Sequence, residues 1–359
     1  MRPFPHRNSL VLSLALTGLS LAGCQPPDTS TEAPSSAASL GQALLENGGT
    51  TVRLTIQSNY QFDPVMSGSR VVYVDNRHGN YELYAMDLVT GLETRVTTDP
   101  GNQLHHDLSG DYLVYEDWQP NASVELRAYD FRTGAGFPIT NDVITGSETA
   151  PAISGHRVVY ASNRETGGSV FLQDLLSGVE VPLEQQDPPW ITARRDSNHP
   201  DISGSRVVWQ ERWSGLPTAD DTDIMLYDLS TGERRQLTTD TKEQTNPAID
   251  GNYVVYEDMR HGNREIYLYD LSTNQETRIT NDPNEQRRPR IADGVIVWVD
   301  DRHQPYGTEI YAHEIATGKQ YRITEDSFIQ GSPTTSGGRI IWQDSRYDQT
   351  ELYMFSPRQ

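Results

Sequence analysis

The sequence predicts an all-β chain folded as a seven-bladed β-propeller whose last blade is closed by the N-terminal strand, and three observations lead there. One apolar run recurs seven times; successive copies begin 42, 45, 49, 47, 42 and 44 residues apart; and the seventh copy stops one strand short while an unclaimed strand precedes the first. The runs are "RVVYVD" at 70, "YLVYED" at 112, "RVVYAS" at 157, "RVVWQE" at 206, "YVVYED" at 253, "VIVWVD" at 295 and "RIIWQD" at 339. A period of about 40–50 residues suits a blade of four strands.

Each copy divides into four strands. The first follows a proline and ends in a tight turn, as in "PVMSG" at 64, "PAISG" at 151 and "PAIDG" at 247. The second is the Val-Val-aromatic run. The third alternates apolar and polar residues, as in "ELYAMD" at 82 and "EIYLYD" at 265, and the fourth is short, as in "TRVTTD" at 94 and "TRITND" at 277. Between third and fourth, Gly91, Gly134, Gly178, Gly232 and Gly318 supply the positive φ of a tight hairpin, with Asn274 as the usual substitute in copy five. Copy seven ends at "ELYMFSPRQ" without a fourth strand, whereas "TVRLTI" at 51–56 stands alone before copy one. A ring accounts for both, because pairing the two ends removes two sheet edges that would otherwise invite aggregation.

The chain ahead of the ring has a different character. "MRPFPHRNSLVLSLALTGLSLAGCQ" sets Arg2 and Arg7 before an apolar run, Leu10 to Ala22, that is too short to span a bilayer as a mature helix. Residues 1–23 therefore read as a secretory signal. Leu21-Ala22-Gly23-Cys24 resembles the bacterial lipobox, which implies lipid attachment at Cys24, the sole cysteine, and cleavage before it. A single cysteine excludes an intramolecular disulfide framework. Residues 24–50, rich in Pro, Ser, Thr and Ala, form a tether, and 51–359 form the propeller. Gln25 lacks the aspartate associated with inner-membrane retention, so the lipobox resemblance implies a bacterial envelope protein of the outer membrane. Net charge is −21, with 27 arginines against Lys242 and Lys319 alone; such a field repels nucleic acid and anionic lipid.

The repeat unit resembles those of TolB-type propellers, with "SG" where they more often carry Ser-Pro-Asp-Gly. The resemblance covers 51–359 and implies the fold. TolB-type proteins have six blades and an additional α/β domain, and this chain departs from both.

Residues 75–91, "DNRHGNYELYAMDLVTG", and 258–274, "DMRHGNREIYLYDLSTN", are nearly the same text, and repetition favours a mould over chemistry. Tyr73, Tyr115, Tyr160, Trp209, Tyr256, Trp298 and Trp342 form one column, expected to pack between sheets. Asp75 with Arg77, Asp258 with Arg260, Asp300 with Arg302 and Asp344 with Arg346 form a second, expected as corner ion pairs, and His78, His261 and His303 are expected in solvent on separate blades.

Function is sought where copies differ. The loops between strands two and three and the blade-to-blade connections share one face, and the insertions "EQQDPPWITARRDSNH" at 184–199 and "ERWSGLPTADDTD" at 211–223 fall there, with "DWQPNAS" at 117–123 a shorter departure. Trp118, Trp190, Arg194, Arg195, Trp213, Asp220, Asp221 and Asp223 are the candidate partner-binding residues, since exposed aromatics beside charges on long loops give contact area at low entropy cost. A second variable column, Asp63, His105, Ala150, His199, Asn246, Arg288 and Ser332, stands at the channel mouth, where His106 replaces the usual proline. Asp63, His105, His106, His199, Asn246 and Arg288 are the candidate ligand residues there. Their donors are too few and scattered for a zinc site, and "ADDTD" lacks calcium-loop spacing, so no metal or other cofactor is expected.

Neither a Gly-x-Ser-x-Gly elbow nor a His-Glu-x-x-His helix is present, and phosphate loops are absent. The expectation is a monomeric, non-enzymatic binding or scaffolding lipoprotein for a protein or glycan partner of the envelope, touching the membrane through its anchor alone. The alternative is a carbohydrate-active enzyme, because some polysaccharide lyases place a metal and a base at the mouth of a seven-bladed propeller. His105, His106, His199, Arg288 and Asp63 would serve it. A passive spacer is a third reading.

Overall fold

The computed structural model describes residues 48–120, 123–140, 146–164, 168–184, 194–214, 221–303, 305, 307–347 and 349–358, with the side chains of 194, 195, 213 and 214 excepted. Cys24, Trp190 and Asp220 lie outside the described residues, as do residues 1–23, expected as a signal, and nearly all of 24–50, expected as a tether. Every described element is a strand, and the strands form seven antiparallel four-stranded sheets.

The chain opens with β1 (Gly49–Arg53). Blade 1 is β2 (Gln61–Ser67), β3 (Arg70–Asp75), β4 (Glu82–Asp87) and β5 (Glu93–Arg95). Blade 2 is β6 (Asn102–Ser109), β7 (Tyr112–Trp118), β8 (Val124–Asp130) and β9 (Ala135–Pro138). Blade 3 is β10 (Glu148–Ser154), β11 (Arg157–Ser162), β12 (Ser169–Asp174) and β13 (Glu180–Pro182). Blade 4 is β14 (Arg194–Ser203), β15 (Arg206–Ser214), β16 (Thr222–Asp228) and β17 (Glu233–Gln236). Blade 5 is β18 (Gln244–Asp250), β19 (Tyr253–Asp258), β20 (Glu265–Asp270) and β21 (Gln275–Arg278). Blade 6 is β22 (Gln286–Ala292), β23 (Val295–Asp300), β24 (Glu309–Glu314) and β25 (Lys319–Arg322). Blade 7 joins β26 (Gln330–Ser336), β27 (Arg339–Tyr347) and β28 (Gln349–Pro357) to β1.

Closure occurs as expected, two residues earlier in the chain. Gly49 pairs with Pro357 and Arg53 with Tyr353, and the Leu54 N–H donates to Leu352 O at 2.8 Å. Arg53 ion-pairs with Glu351 as Arg95 pairs with Glu82, Arg278 with Glu265 and Arg322 with Glu309, so β1 holds a fourth strand's chemistry as well as its place.

Burial follows strand position. Second strands are buried along nearly their whole length, as in β23, because each blade is sandwiched between two others; hence a continuous Val-Val-aromatic run where a half-buried strand would alternate. Fourth strands such as β17, "ERRQ", are almost wholly exposed. Each of the seven apolar clusters spans one pair of neighbouring blades, and that between blades 7 and 1 (Ile341 and Leu352 against Met66, Val71 and Tyr73) completes the circle.

The aromatic column packs between sheets. Tyr73, Tyr160, Trp209, Tyr256 and Trp298 have no accessible surface, and third-strand rings stack on four of them at 5.8–6.2 Å between centroids. The Asp-Arg column forms the expected corner pairs, each at 2.6 Å. Each guanidinium also covers the third-strand ring, as Arg77 does Tyr84 at 4.2 Å and Arg260 does Tyr267 at 4.5 Å. His78, His261 and His303 are on separate blades but not free in solvent. They stack on the same rings, and Nε2 of His261 and of His303 lies 2.9 and 2.8 Å from the Tyr267 and Tyr311 hydroxyls.

The first strands begin three residues earlier than the proline rule implies. The proline sits inside the strand, at a bulge where the ladder skips two residues, as between Phe62 and Val65 or Thr245 and Ala248. Its missing N–H costs nothing there. In the third-to-fourth turns the expected positive φ is present, 70° at Gly91 and 53° at Asn274.

Candidate functional site

First strands line the channel, packing against one another around the ring. The variable channel-mouth column is the first residue of each bulge: Asp63, His105, Ala150, His199, Asn246, Arg288 and Ser332 all have φ between 42° and 56°. A left-handed residue with a Cβ costs roughly 1–2 kcal/mol, and its presence in all seven blades marks it as architecture. Much of the cost is offset across blade boundaries. The Asp63 N–H donates to Gln343 Oε1 at 3.2 Å, Ala150 to Glu116 Oε1 at 2.7 Å, Asn246 to Gln210 Oε1 at 2.9 Å and Arg288 to Glu257 Oε1 at 2.7 Å. These acceptors immediately follow the buried aromatic of the preceding blade. Before His105, His199 and Ser332 that position holds Val74, Ala161 and Val299, which cannot accept.

Glu116 is the organising group at the mouth. It is buried, and besides its bond to Ala150 its Oε2 lies 2.7 Å from His105 Nδ1 and accepts the Trp118 indole N–H at 2.7 Å. His105 is thereby fixed with its side chain 57% exposed, and the Glu116 carboxylate raises its pKa above the ordinary imidazole value although burial opposes. Trp118 is exposed, with its ring edge-on to His105 at 6.5 Å. It therefore belongs to the channel mouth and not to the blade 4 insertions.

The remaining channel candidates separate. His106 is buried, with Nε2 3.2 Å from Val72 O and Nδ1 without a partner, and burial pushes its pKa down. Occupying the proline's place in the bulge, it packs inward as prolines do and is not available to a ligand. The Asn246 amide donates to Glu257 at 2.9 Å. His199 is exposed, its Nδ1 2.8 Å from Asn198 Oδ1; burial among its neighbours, then the charges of Arg290 and His105, lower its pKa. Arg288 is exposed, and Asp63 is half-buried.

Deeper in the channel lies a charged group that the sequence reading missed. Asp107 Oδ2 accepts the Ile153 N–H and Asp201 Oδ2 the Ile249 N–H, both at 2.7 Å, tying blade 2 to 3 and blade 4 to 5. Burial, then the charge of Asp201, pushes Asp107 up to about 7, and Arg290 from blade 6 opposes the rise at both aspartates. Their signal was present: these are the charged residues two places after the bulge, where other blades have Val65, Ala152, Ala248 and Thr334.

The insertion in blade 4 is partly strand. β14 and β15 extend to Arg194 paired with Ser214, with Arg195 opposite Trp213, so this hairpin rises above its neighbours on the loop face. The expected loops at 184–199 and 211–223 are thus shortened at both inner ends, since an antiparallel pair continues as long as both strands can supply partners. Asp223 turns into its own blade, accepting from the Thr238 hydroxyl at 3.1 Å, and burial raises its pKa; Asp221 is half-buried. A second set of exposed apolar side chains, absent from the sequence reading, lies on the same face in the other half of the ring. Ile56 and Tyr60 precede blade 1, Tyr81 is in its loop, Phe328 and Ile329 precede blade 7, and Tyr347 is at its tip. They fall outside every repeated column, which is the property that could have singled them out.

Among the described residues no three His, Cys, Asp or Glu side chains converge as a metal site, and no helix is long and apolar enough to cross a membrane. The mouth offers a fixed, exposed imidazole beside an indole.

No protein-family model and no curated protein matches the chain. Solved structures do. An oligogalacturonate lyase in complex with manganese is 16% identical at a TM-score of 0.61, over 88% of this chain and 95% of that one. The oligogalacturonate lyase of Vibrio parahaemolyticus is 13% identical at 0.66, over 87% and 94%. The β-propeller domain of the Trilobed protease from Pyrococcus furiosus, described as having an open velcro topology, is 13% identical at 0.63, over 84% and 94%. At these identities the likeness is one of fold.

Proposed function

We propose that this chain is a lipid-anchored binding module of the bacterial envelope, tethered through Cys24 to the outer membrane and holding a protein or glycan partner on its loop face. One observation carries the reading: the exposed aromatic and apolar side chains on that face (Tyr60, Tyr81, Trp118, Phe328 and Tyr347 among them) stand at positions the repeat does not require, and Trp118 lies beside the imidazole that Glu116 fixes. Rigid aromatic surface of this kind suits recognition. The test is affinity for a partner captured from envelope extracts, or for envelope polysaccharides on an array. Alanine at Tyr81, Trp118 and Tyr347, and separately at Trp190, Arg195 and Trp213, should weaken binding at least tenfold in one set. If neither set changes any captured partner or glycan, the loop face is not the binding surface.

A second reading, a carbohydrate-active enzyme working at the mouth, draws on His105, the one imidazole there that a buried carboxylate holds in place. Two of the similar structures are oligogalacturonate lyases. Metal analysis of the purified protein separates the readings: stoichiometric Mn, Ca or Zn that disappears on His105→Ala with His199→Ala, together with cleavage of a uronide polymer, would favour the enzyme.

A further inference from the structure

The face opposite the channel mouth carries its own departure from the repeat. In every complete blade the third-to-fourth turn is built by an acidic residue and its backbone, as where Asp87 Oδ1 accepts the Val89 and Thr90 N–H groups at 2.9 and 2.8 Å and Asp174 Oδ1 those of Leu176 and Ser177 at 3.0 and 2.9 Å. A polar side chain at the third turn position can bond the same carboxylate, as the Ser230 and Ser272 hydroxyls do at Asp228 and Asp270, but an apolar one at the third or sixth position has no part in the turn. Blade 4 fills them with Ser230 and Glu233, and blade 5 with Ser272 and Gln275. Blade 1 instead has Val89 and Leu92, and blade 3 has Leu176 and Val179, which are 79%, 66%, 68% and 58% exposed. Four large apolar side chains thus project from the turns of blades 1 and 3, to either side of Arg132 and Ala135 in the blade 2 turn, where the fold asks for none.

The chain enters on this same face. β1 runs as a fourth strand, so Gly49 lies at the turn end of blade 7, and the Arg358 N–H donates to Gly48 O where other blades have their turn. Blade 1 is the next blade round. Cys24 precedes Gly48 by 24 residues of Pro- and Ser-rich sequence, for which a flexible chain spans about 25–30 Å. With a lipid at Cys24, the tether would join the ring on the turn face and not on the loop face.

We propose that the turn face of blades 1 to 3 rests on a zwitterionic lipid surface, with Val89, Leu92, Leu176 and Val179 entering the headgroup layer. The proposal rests on the reading of Cys24 as the anchor. The lipid is zwitterionic because a chain of net charge −21 is repelled by an anionic one. The consequence is orientation: the channel mouth and the blade 4 hairpin point away from the membrane.

Cys24 is the only cysteine, so a second one can be labelled selectively once the first carries lipid. Ala135 sits in the blade 2 turn between the two apolar pairs, and Lys242 lies on the opposite face; both are exposed. An environment-sensitive probe at Ala135→Cys, in protein recovered from membranes and reconstituted in phosphatidylcholine vesicles with spin-labelled chains, should be quenched several-fold more than one at Lys242→Cys. Combining Val89→Ser, Leu92→Glu, Leu176→Ser and Val179→Glu, the residues blade 4 already carries, should erase the difference without lowering the melting temperature. Equal quenching at the two sites in the native chain overturns the proposal, as does a dimer in solution that the fourfold variant dissolves. An N-terminal peptide without lipid mass would defeat the anchor reading separately. The Cys24→Ser chain with saturating vesicles then decides the patch, because the same contrast must appear there or the proposal fails.

Discussion

Replacing Glu116 separates its two roles, strapping blade 2 to blade 3 and fixing His105. The carboxylate is 1% exposed and accepts from the Ala150 N–H, His105 Nδ1 and the Trp118 indole, each at 2.7 Å. Hydrogen bonds to a charged group contribute about 1.5–3 kcal/mol each, but the three are not additive. His105 and Trp118 are exposed and can turn to water, whereas the Ala150 N–H sits in the bulge. Glu116→Ala should therefore destabilise by about 2–4 kcal/mol, read from urea unfolding. It should not unfold the protein, since the bulges at His105, His199 and Ser332 follow Val74, Ala161 and Val299 and persist without such an acceptor. Glu116→Gln keeps an acceptor for Ala150 and removes the charge beside His105. The folded pKa of His105 is raised above its unfolded value of about 6.5, chiefly by Glu116. The pair's contribution is thus complete below pH ~6.5 and is lost as pH rises through the folded value. In Glu116→Gln the His105 resonance, followed by NMR, should titrate at lower pH, and the stability advantage at low pH should shrink. A His105 titration identical in both proteins would refute the reasoning.

Three other outcomes follow from the same structure. Trp298→Ala, at a side chain with no accessible surface, should cost about 3–5 kcal/mol in equilibrium unfolding. Arg53→Ala leaves Glu351, whose side chain is 4% exposed, without its guanidinium; because Arg53 itself is 32% exposed, the loss should be about 1–3 kcal/mol and should show first as faster proteolysis of the N-terminal strand. Asp107→Asn keeps an acceptor for the Ile153 N–H while removing a carboxyl pushed up to about 7. Charging Asp107 opposes folding as pH rises from about 4 to about 7, so the variant should gain roughly 1–3 kcal/mol over the native chain across that window and show no relative gain below it.

The architecture was legible because it is written seven times. Val-Val-aromatic runs report burial on both faces of a second strand, and the missing fourth strand of the last copy reports closure. What repetition concealed was geometry within a column. His105 and Arg288 read as a ring of possible ligands, yet their shared property is a left-handed bulge, which only the positive φ reveals. His106 looked like a donor because it replaced a proline; it inherits the proline's inward place and is buried for that reason. Glu116 was visible as a letter in "YLVYED" but not as a carboxylate gathering donors from two blades, since Ala150 lies 34 residues further on. Asp107, Asp201 and Arg290 escaped notice because their neighbourhood arises from three separate first strands. The apolar residues of the blade 1 and 3 turns look like ordinary variation until the turn's hydrogen bonds show that none of them is needed there.

The meeting of Gly48 and Arg358 makes the point of entry into the ring a matter of wiring more than of shape. A short linker across that gap and a new cut in any hairpin turn of blades 4 to 6 would yield a circular permutant with every sheet retained. Such a molecule would begin at a different blade, so the place where its first residue leaves the ring could be chosen while the loop face stays chemically the same.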